Sequence, residues 1–335
     1  MEFYLKSKVL EILENEKDHL STEVYTYISA FFHSYDKIHS DLKLDSNEVY
    51  SVLKDYLKMI KQELFSPTPF NIFHEQEKSP IDYYLFAKRL LSPFIDKKSS
   101  KIFGKKNIDA IIDILSRGEN VMLLSNHQAE GDPTLLAALL DDHYPNLIEQ
   151  MIAVAGARVT TDPITIPLTR GQNILCVYSK KYFEIHADRK QEMLQHNSSS
   201  MLTLRHLLND GGKLVFVAPS GGRDRKNADG HLYPSLFDPE SIELMRLVGE
   251  KSKKKTHYFP LALYTYDILP PPEKIKKAIG EQRKMCHSPI HVNFGKEYTM
   301  SAPSSEEKKE KHLFRKNQAG SIHKVVTTLY EEITT

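Results

Sequence analysis

The sequence is poor in cysteine and contains no long apolar run. Cys176 and Cys286 are the only cysteines among 335 residues, which excludes a disulfide framework or a cysteine-ligated metal site and fits a reducing compartment. The longest apolar run that we find is Leu135 to Leu140, whereas a bilayer-spanning helix needs ~20 such residues. We therefore expect no transmembrane span. The N-terminal stretch lacks the apolar core and cleavage site of a signal or transit peptide, so the sequence predicts a cytoplasmic protein.

Charge is balanced overall but unevenly distributed. The formal net charge of +1 argues against a nucleic-acid-binding protein, because such proteins usually carry a strong basic excess. Residues 251–316 nevertheless hold 15 Lys and Arg residues against 7 Asp and Glu residues. A solvated face is the usual meaning of such a segment, and an acidic partner or an anionic lipid surface is the alternative.

Glycine is absent from the first hundred residues, which marks a boundary in composition. All 14 glycines lie at or after Gly104. Before that point, apolar residues recur at helical spacing over 24–35 and 49–60, and this pattern predicts two amphipathic helices. A small helical bundle is therefore expected at the start of the chain.

The chain is predicted to divide where the helical pattern is interrupted. The stretch SPTPF breaks the helices with two prolines, and the later stretch SPID predicts a new helix that is capped by Ser79. The predicted parts are a helical bundle domain over 1–65, a linker over 66–80 and an α/β domain over 81–335.

After residue 105, short apolar runs alternate with helical stretches. Six runs are typical of buried strands: VMLLS, MIAVA, NILCVY, KLVFVA, HYFPLAL and IHVNF. Helical patterns lie between several of them, at 133–142, 188–209 and 239–249. This alternation predicts an α/β fold with a mixed central sheet flanked by helices, next to the small N-terminal helical-bundle domain.

The first candidate site is the stretch NHQAEGD, in which His127 and Asp132 follow a predicted strand. A carboxylate that binds one ring nitrogen of His127 leaves the other nitrogen able to take a proton, which is the arrangement of a general base. One alternative is that Asp132, before Pro133, caps a helix and His127 is an ordinary loop residue. The other is a metal site, but no third ligand is apparent nearby, so we predict no metal.

The second candidate site is the turn in KLVFVAPSGGRDR, which follows a predicted strand and exposes Arg223 and Arg225. Guanidinium groups bind phosphate oxygens in bidentate fashion, and backbone N–H groups of the turn add further donors. The spacing fits neither a nucleotide-binding P-loop nor a nucleophile elbow, so Ser220 is a poor candidate nucleophile. The alternative is a surface turn in which Arg223 pairs with Asp224 or Asp229.

A third predicted strand, in LCVYSKKYF, ends in Lys180 and Lys181. Because the carboxyl ends of parallel strands meet at one edge of a sheet, the histidine, the lysines and the arginines are expected to converge. The sequence thus predicts a base beside a phosphate pocket.

Four stretches, NHQAEGD, LTRGQNILCVYSKKY, FVAPSGGRDR and YFPLAL, resemble the four blocks of the glycerolipid acyltransferases in order, spacing and strand context. The resemblance is closest to the soluble plastid-type glycerol-3-phosphate acyltransferases and covers residues 105–300. It implies transfer of a fatty acyl group from an acyl-carrier-protein or CoA thioester to the sn-1 hydroxyl of glycerol 3-phosphate. The product is lysophosphatidate, the first intermediate of phospholipid synthesis. A mature plastid form would lie in the stroma rather than in the cytoplasm.

The resemblance also implies roles for individual residues. His127 is the expected general base and Asp132 its partner, with no acyl-enzyme and no cofactor beyond the acyl thioester as co-substrate. The expected ligands of the substrate phosphate are Lys181, Arg223 and Arg225. Tyr182 stands where the family has a histidine after the paired lysines; a phenol donates a hydrogen bond to phosphate but supplies no cation.

Two further groups of residues are weaker candidates. The acyl chain is expected to pass Phe259, Pro260 and Leu261, unless these residues form a buried core strand. An acidic acyl carrier protein is expected to dock on Lys253, Lys254 and Lys255, which belong to the basic segment. A transient peripheral membrane contact is the other use of that segment.

Three other functions remain open from the sequence. A lysophosphatidate acyltransferase uses the same residues but normally shows apolar membrane anchors, which this sequence lacks. A thioester hydrolase would use His127 and Asp132 to activate water. A non-catalytic module that binds lipid or a carrier protein would turn nothing over.

Overall fold

The computed structural model describes residues 7–185, 187–272 and 281–335, without the side chains of Lys181 and Ile185. The described helices are α1 (Lys8–Glu14), α2 (Thr22–Leu42), α3 (Ser46–Phe65), α4 (Tyr83–Leu91), α5 (Lys105–Ser116), α6 (Asp132–Leu140), α7 (Ile166–Thr169), α8 (Lys180–Ile185), α9 (Lys190–Asp210), α10 (Pro239–Glu250) and α11 (Lys311–Thr334). The described strands are β1 (Phe73–His74), β2 (Lys101–Phe103), β3 (Asn120–Ser125), β4 (Ile152–Gly156), β5 (Asn173–Val177), β6 (Leu214–Val217), β7 (Thr256–Tyr264) and β8 (His291–Phe294).

The described strands form a mixed sheet in the order β1-β5-β4-β6-β3-β7-β8-β2. Strands β5, β4, β6, β3 and β7 are parallel, whereas β1 and β8 run antiparallel to β5 and β7. Alternate residues of β3 enter two hydrophobic clusters: Val121 and Leu123 belong to one, Met122 and Leu124 to the other. Because successive side chains of a strand point to opposite faces, both faces of the sheet are covered. The predicted mixed sheet flanked by helices is confirmed.

Helices α2 and α3 pack against the α/β part of the chain. The apolar faces predicted over 24–35 and 49–60 are buried, and they belong to the hydrophobic cluster that contains Val121 of β3. The hydroxyl of Tyr56 in α3 also donates a hydrogen bond to the carbonyl of Ile164, 2.8 Å away. The separate helical bundle domain over 1–65 stays a prediction, and its apolar face is shared with the α/β part.

The segment predicted as a linker contributes a strand, because β1 lies within 66–80 and pairs with β5 at the edge of the sheet. Arg170, which precedes β5, donates hydrogen bonds to Glu77 of this segment at 2.9 Å and to Glu63 of α3 at 3.1 Å. Arg170 and Glu63 are both buried. This ion-pair cluster therefore joins the segment to the sheet and to the N-terminal helices.

The helix start predicted at Ser79 is wrong. Helix α4 begins at Tyr83, and its N-cap is Asp82. The carboxylate of Asp82 accepts a hydrogen bond from the N–H of Leu85 at 2.9 Å, which satisfies one of the free donors in the first helical turn. Aspartate is a strong N-cap, and here it displaces the serine three residues earlier.

No helix within the described ranges combines the length and the apolar character that a membrane crossing requires.

Candidate active site

The candidate site lies at the edge of the sheet where the parallel strands have their carboxyl ends. His127 follows β3 by two residues, Arg223 lies in the turn after β6, and Lys181 follows β5. Strand β6 pairs with β3, and β4 lies between β6 and β5. The topology therefore brings the backbone positions of the three predicted groups to one edge of the sheet.

His127 is oriented by Asp132. Its Nδ1 donates a hydrogen bond to Oδ2 of Asp132 at 2.7 Å. The side chain of Asp132 is fully buried, whereas that of His127 is 26% exposed. In the part of the chain that is described, Nε2 of His127 has no hydrogen-bond partner, so this nitrogen is available to take a proton. No cluster of metal-binding side chains occurs among the same described residues.

The carboxylate of Asp132 is held by further donors. The N–H groups of Gln128 and Ala129 donate to it at 2.9 and 3.0 Å, and the hydroxyl of Thr265, just after β7, donates at 2.5 Å. These bonds stabilise a buried negative charge that is opposite His127. The alternative of Asp132 as a helix cap is wrong, because Asp132 lies inside the first turn of α6 and its carboxylate points back to the loop.

Asp224 joins the histidine loop to the arginine turn. Its backbone N–H donates to the carbonyl of His127 at 2.6 Å. Its buried carboxylate accepts hydrogen bonds from Asn126 at 2.9 Å, from Gln128 at 3.2 Å and from the N–H of Ser235 at 2.8 Å. Burial raises the pKa of Asp224, although these donors oppose the shift. Nothing in the local sequence indicates this connection, because it joins residues almost a hundred positions apart.

Arg223 is engaged in a buried ion pair. Its Nη1 donates to Oε1 of Glu281 at 2.6 Å, and its Nη2 donates to Oε2 of the same carboxylate. The side chains are 10% and 1% exposed. The alternative that Arg223 pairs with Asp224 or Asp229 is therefore wrong. Glu281 carries the opposing charge, and no feature of the surrounding sequence indicates this partner.

Arg225 is exposed at the same turn. Its Nη1 donates to the carbonyl of Pro272 at 2.6 Å, so its contact is a neutral acceptor and its charge is not compensated there. Gly221 precedes the two arginines with a φ of +64°, a conformation that glycine adopts at little cost. The turn therefore presents one guanidinium that is paired with a carboxylate and one that has no carboxylate partner among the residues that the structure describes.

Arg283 forms a second buried ion pair beside the histidine loop. It donates to both carboxylate oxygens of Glu130 at 2.6 and 3.0 Å, and also to Asp162 and Thr165, each at 2.7 Å. Burial raises the pKa of Glu130, but Arg283, together with Arg223, lowers it to about 2. Glu130 lies within the loop that carries the candidate base, so Arg283 holds that loop in place.

The cationic end of β5 is only partly described. Lys180 forms ion pairs with Asp238 and Glu240, each at 2.8 Å. The side chain of Lys181 lies outside the described part of the structure. The ring of Tyr182 packs 5.6 Å from that of Tyr178. The role of Lys181 and Tyr182 as phosphate ligands stays a prediction.

The acyl-path candidates Phe259, Pro260 and Leu261 are buried in β7, an interior strand between β3 and β8. The carbonyl of Pro260 accepts the N–H of Gly295, which lies beyond the end of β8. The missing N–H of Pro260 faces the same side. Proline is therefore tolerated, because its missing donor lies past the last residue of β8. The structure therefore places these residues in the sheet itself, as the core-strand alternative expected.

The carrier-docking candidates Lys253, Lys254 and Lys255 lie where β3 and β7 have their amino ends, opposite to the carboxyl ends at the candidate site. They are exposed, and the carbonyl of Lys255 accepts the N–H of Asn120, the first residue of β3. His127 follows the last residue of β3, so the length of that strand separates this cluster from the candidate base by roughly 20 Å. The structure does not bring the lysine cluster to the site.

The sequence of the chain is similar to those of known proteins. A family model described as acyltransferase matches residues 101–264. The chain is 38% identical over 218 residues to the chloroplastic glycerol-3-phosphate acyltransferase of Arabidopsis thaliana, which is 65% of this chain and 48% of the relative. It is 35% identical over 283 residues to that of Spinacia oleracea, which is 84% of this chain and 60% of the relative.

A solved structure, the 1-acyl-sn-glycerophosphate acyltransferase of Thermotoga maritima, is a distant match. It has 15% sequence identity and a TM-score of 0.41, and the match covers 75% of this chain and 78% of that one. The chain spans about half to three fifths of the length of the chloroplastic relatives. The family match and the identity to these relatives confirm the resemblance seen in the four sequence blocks. Residues 101–264 of this chain thus match the acyltransferase family model, and the chain is similar in sequence to the chloroplastic glycerol-3-phosphate acyltransferases.

Proposed function

We propose that the protein is a glycerol-3-phosphate 1-O-acyltransferase, which moves a fatty acyl group from a thioester to the sn-1 hydroxyl and forms lysophosphatidate. The observation that carries this proposal is the pairing of His127 with the buried Asp132, at the sheet edge where Arg223 and Arg225 lie in the turn after the neighbouring strand β6. A base beside guanidinium groups suits an acceptor that has both a hydroxyl and a phosphate. The chloroplastic relatives are named for the same acceptor.

His127 is proposed to act as the general base. Since Nδ1 is bound to Asp132, Nε2 takes the proton of the sn-1 hydroxyl while the hydroxyl oxygen attacks the thioester carbonyl carbon. A C–O bond forms, the C–S bond breaks, and the imidazolium returns its proton to the departing thiolate. Such base catalysis contributes ~10² to 10⁴ in rate. Because a thioester is already activated, the reaction needs no acyl-enzyme and no cofactor.

The phosphate of the acceptor is proposed to bind Lys181, Tyr182, Arg223 and Arg225. The phosphate competes with Glu281 for Arg223, because that guanidinium already donates to a carboxylate. In the described part of the chain, the partner of Arg225 is the neutral carbonyl of Pro272, so its charge is proposed to be available to an anion. Binding the phosphate turns the acceptor into a positioned reactant and lowers the entropic cost of the transfer.

The acyl donor is proposed to be the thioester of acyl carrier protein, with CoA as the alternative. Docking of an acidic carrier on Lys253, Lys254 and Lys255 stays a prediction, and it requires the carrier to reach across the sheet. Nucleic acid is not an expected partner, and membrane contact is expected to be transient. The free thiols of Cys176 and Cys286 support a reducing compartment, either the cytoplasm or the plastid stroma.

A donor-by-acceptor assay tests this function. Labelled acyl-CoA and labelled acyl carrier protein are each offered glycerol 3-phosphate, lysophosphatidate or water. We expect labelled lysophosphatidate to form only where glycerol 3-phosphate is the acceptor offered. Formation of phosphatidate would show a lysophosphatidate acyltransferase, and free acid released at the same rate without glycerol 3-phosphate would show a hydrolase. Absence of turnover with both donors would contradict the enzyme assignment altogether.

A further inference from the structure

Four neighbouring parallel strands, in the order β5, β4, β6 and β3, end at the candidate site. Three of them are followed by residues already proposed to act on the substrate: Lys181, the arginines of the turn after β6, and His127. The remaining strand, β4, lies between β5 and β6, and Arg158 follows its last residue, Gly156, by two positions. Arg158 thus occupies the strand end between the two groups of proposed phosphate ligands.

The guanidinium of Arg158 has no hydrogen-bond or ion-pair partner among the described residues. Its Nη2 atom is buried and has no acceptor within reach. The three buried arginines Arg170, Arg246 and Arg283 instead each pair with two carboxylates. A buried donor without an acceptor is destabilising and is rare in native proteins, so this one needs an explanation.

The carboxylates near Arg158 are engaged elsewhere. Burial raises the pKa of Glu130, and Arg283 and then Arg223 lower it, with a smaller contribution from the charge of Arg158; Arg158 therefore lies near Glu130. Glu130 accepts two hydrogen bonds from Arg283, and Asp162 accepts another from the same side chain. Within the described ranges, Arg158 consequently has no carboxylate partner for its charge, which lies close to the histidine loop.

We propose that Arg158 is a further ligand of the substrate, binding the phosphate monoester of the acceptor; this inference rests on the proposed function and extends it. At this edge of the sheet, Arg223 is paired with Glu281 and Lys180 with two carboxylates. Arg158 and Arg225 are not compensated in this way. Two such guanidinium groups match the charge of a phosphate dianion better than that of a carboxylate.

The phosphates of CoA offer the same chemistry as the phosphate of the acceptor. The position of Arg158, between the strand ends that carry Lys181 and Arg223, favours the acceptor. The experiment therefore measures both ligands separately.

Isothermal titration calorimetry of the whole chain tests the inference with glycerol 3-phosphate, inorganic phosphate and CoA. The test variant is Arg158→Gln. The matched control is Arg205→Gln, because Arg205 is also a half-buried arginine without a described partner. Arg205 lies on α9 near Leu208, and the carbonyl of Leu208 accepts a hydrogen bond from Asn120 at the end of β3 that is far from the site. We expect Arg158→Gln to weaken binding of glycerol 3-phosphate and of inorganic phosphate by about 10- to 100-fold, and Arg205→Gln to leave both unchanged.

Each other result has a distinct meaning. If the wild type binds glycerol 3-phosphate and Arg158→Gln binds it equally well, the inference is overturned while the proposed function stands. A loss confined to CoA would assign Arg158 to the donor and overturn the acceptor assignment. If the wild type binds inorganic phosphate through Arg158 but not glycerol 3-phosphate, the anion site stands and the proposed function fails. Binding of neither phosphate ligand overturns both.

A second variant separates binding from folding. Arg158→Lys keeps the positive charge but loses the guanidinium fork, so it should bind glycerol 3-phosphate more weakly than the wild type and more tightly than Arg158→Gln. Circular dichroism and the melting temperature report folding for each variant. If Arg158→Gln does not fold, Arg158→Lys decides: affinity for glycerol 3-phosphate that is lower than in the wild type supports the inference, and equal affinity overturns it.

Discussion

Arg223, a proposed ligand of the substrate phosphate, is paired with the carboxylate of Glu281, which is 1% exposed. Glu281 lies 58 positions further along the chain. The same short segment carries Arg283, which binds Glu130 in the histidine loop. Residues 281–283 thus contact both halves of the candidate site, the proposed base loop and the proposed phosphate turn.

Replacing Glu281 by glutamine should have opposite effects on the stability of the fold and on the affinity for glycerol 3-phosphate. Glu281→Gln removes the charge opposite Arg223, so we expect the free energy of unfolding to fall by about 3 kcal/mol. The same change releases Arg223 from a competing anion, so glycerol 3-phosphate should bind several-fold more tightly. Urea unfolding and calorimetry measure the two quantities.

Glu243 of α10 offers a matched control for this variant. It forms a comparable buried pair with Arg246, at 2.8 Å. Glu243→Gln should lower stability without tightening the binding of glycerol 3-phosphate. If Glu281→Gln leaves the affinity unchanged or weakens it, the carboxylate does not compete with the substrate.

His127→Ala should abolish transfer while leaving the binding of glycerol 3-phosphate nearly intact. The imidazole is the proposed base, and its loss should reduce kcat by ~10² to 10⁴. The side chain is only partly buried, so the fold should tolerate the change. Steady-state kinetics and calorimetry measure both effects, with His206→Ala, an exposed histidine of α9, as the control. Activity within a few-fold of the wild type would remove His127 from the mechanism.

Thr265→Val tests whether the hydrogen bonds around Asp132 support catalysis. The change keeps the shape of a buried side chain but removes the hydroxyl that donates to Asp132 at 2.5 Å. We expect a lower kcat and a loss of about 1 to 3 kcal/mol in stability, because one acceptor position of Asp132 is left unsatisfied. Thr265→Ser retains the hydroxyl and should behave closer to the wild type. Equal kcat values for the two variants would show that this bond does not contribute.

The lowered pKa of Glu130 predicts that the folded protein loses stability in acid. Burial raises the pKa of Glu130, but Arg283 and Arg223 lower it from its ordinary 4.5 to about 2. The folded protein therefore binds this proton less readily than the unfolded chain does. The stabilisation is fully present above the unfolded value and is lost as the pH falls through the folded value. Its size is about 3 kcal/mol.

Urea unfolding at several pH values measures this contribution. The difference in the free energy of unfolding between the wild type and Glu130→Gln should be largest above about pH 5 and should shrink as the pH falls towards about 2. A difference that stays constant over this range would show that Glu130 is not held as a carboxylate by its arginine partners.

Much of the fold was predictable because it depends on local patterns. The apolar runs became β3 to β8, and the helical periodicity over 24–35 and 49–60 became the buried faces of α2 and α3. The pairing of His127 with Asp132 was predictable for the same reason, since the two residues are five positions apart in one loop. The start of α4 was predicted wrongly because two good capping residues lie close together, and local sequence does not rank them.

The charge partners were not predictable. Arg223, Glu281 and Arg283 carry ordinary surface-type side chains, and nothing in their neighbours indicates burial. The lysine cluster Lys253–Lys255 was predicted as a docking surface for an acidic carrier, yet strand direction places it at the opposite end of β3 from His127.

The sequence by itself determined β3 to β8, the buried helical faces over 24–35 and 49–60, and the paired histidine and aspartate, because each of these depends on residues a few positions apart. Only the tertiary structure decided which charges neutralise one another and which remain available to a substrate. The contact between Arg283 and Glu130 joins residues 153 positions apart. The energy of such a pair depends on burial and geometry, which arise only when distant segments pack together.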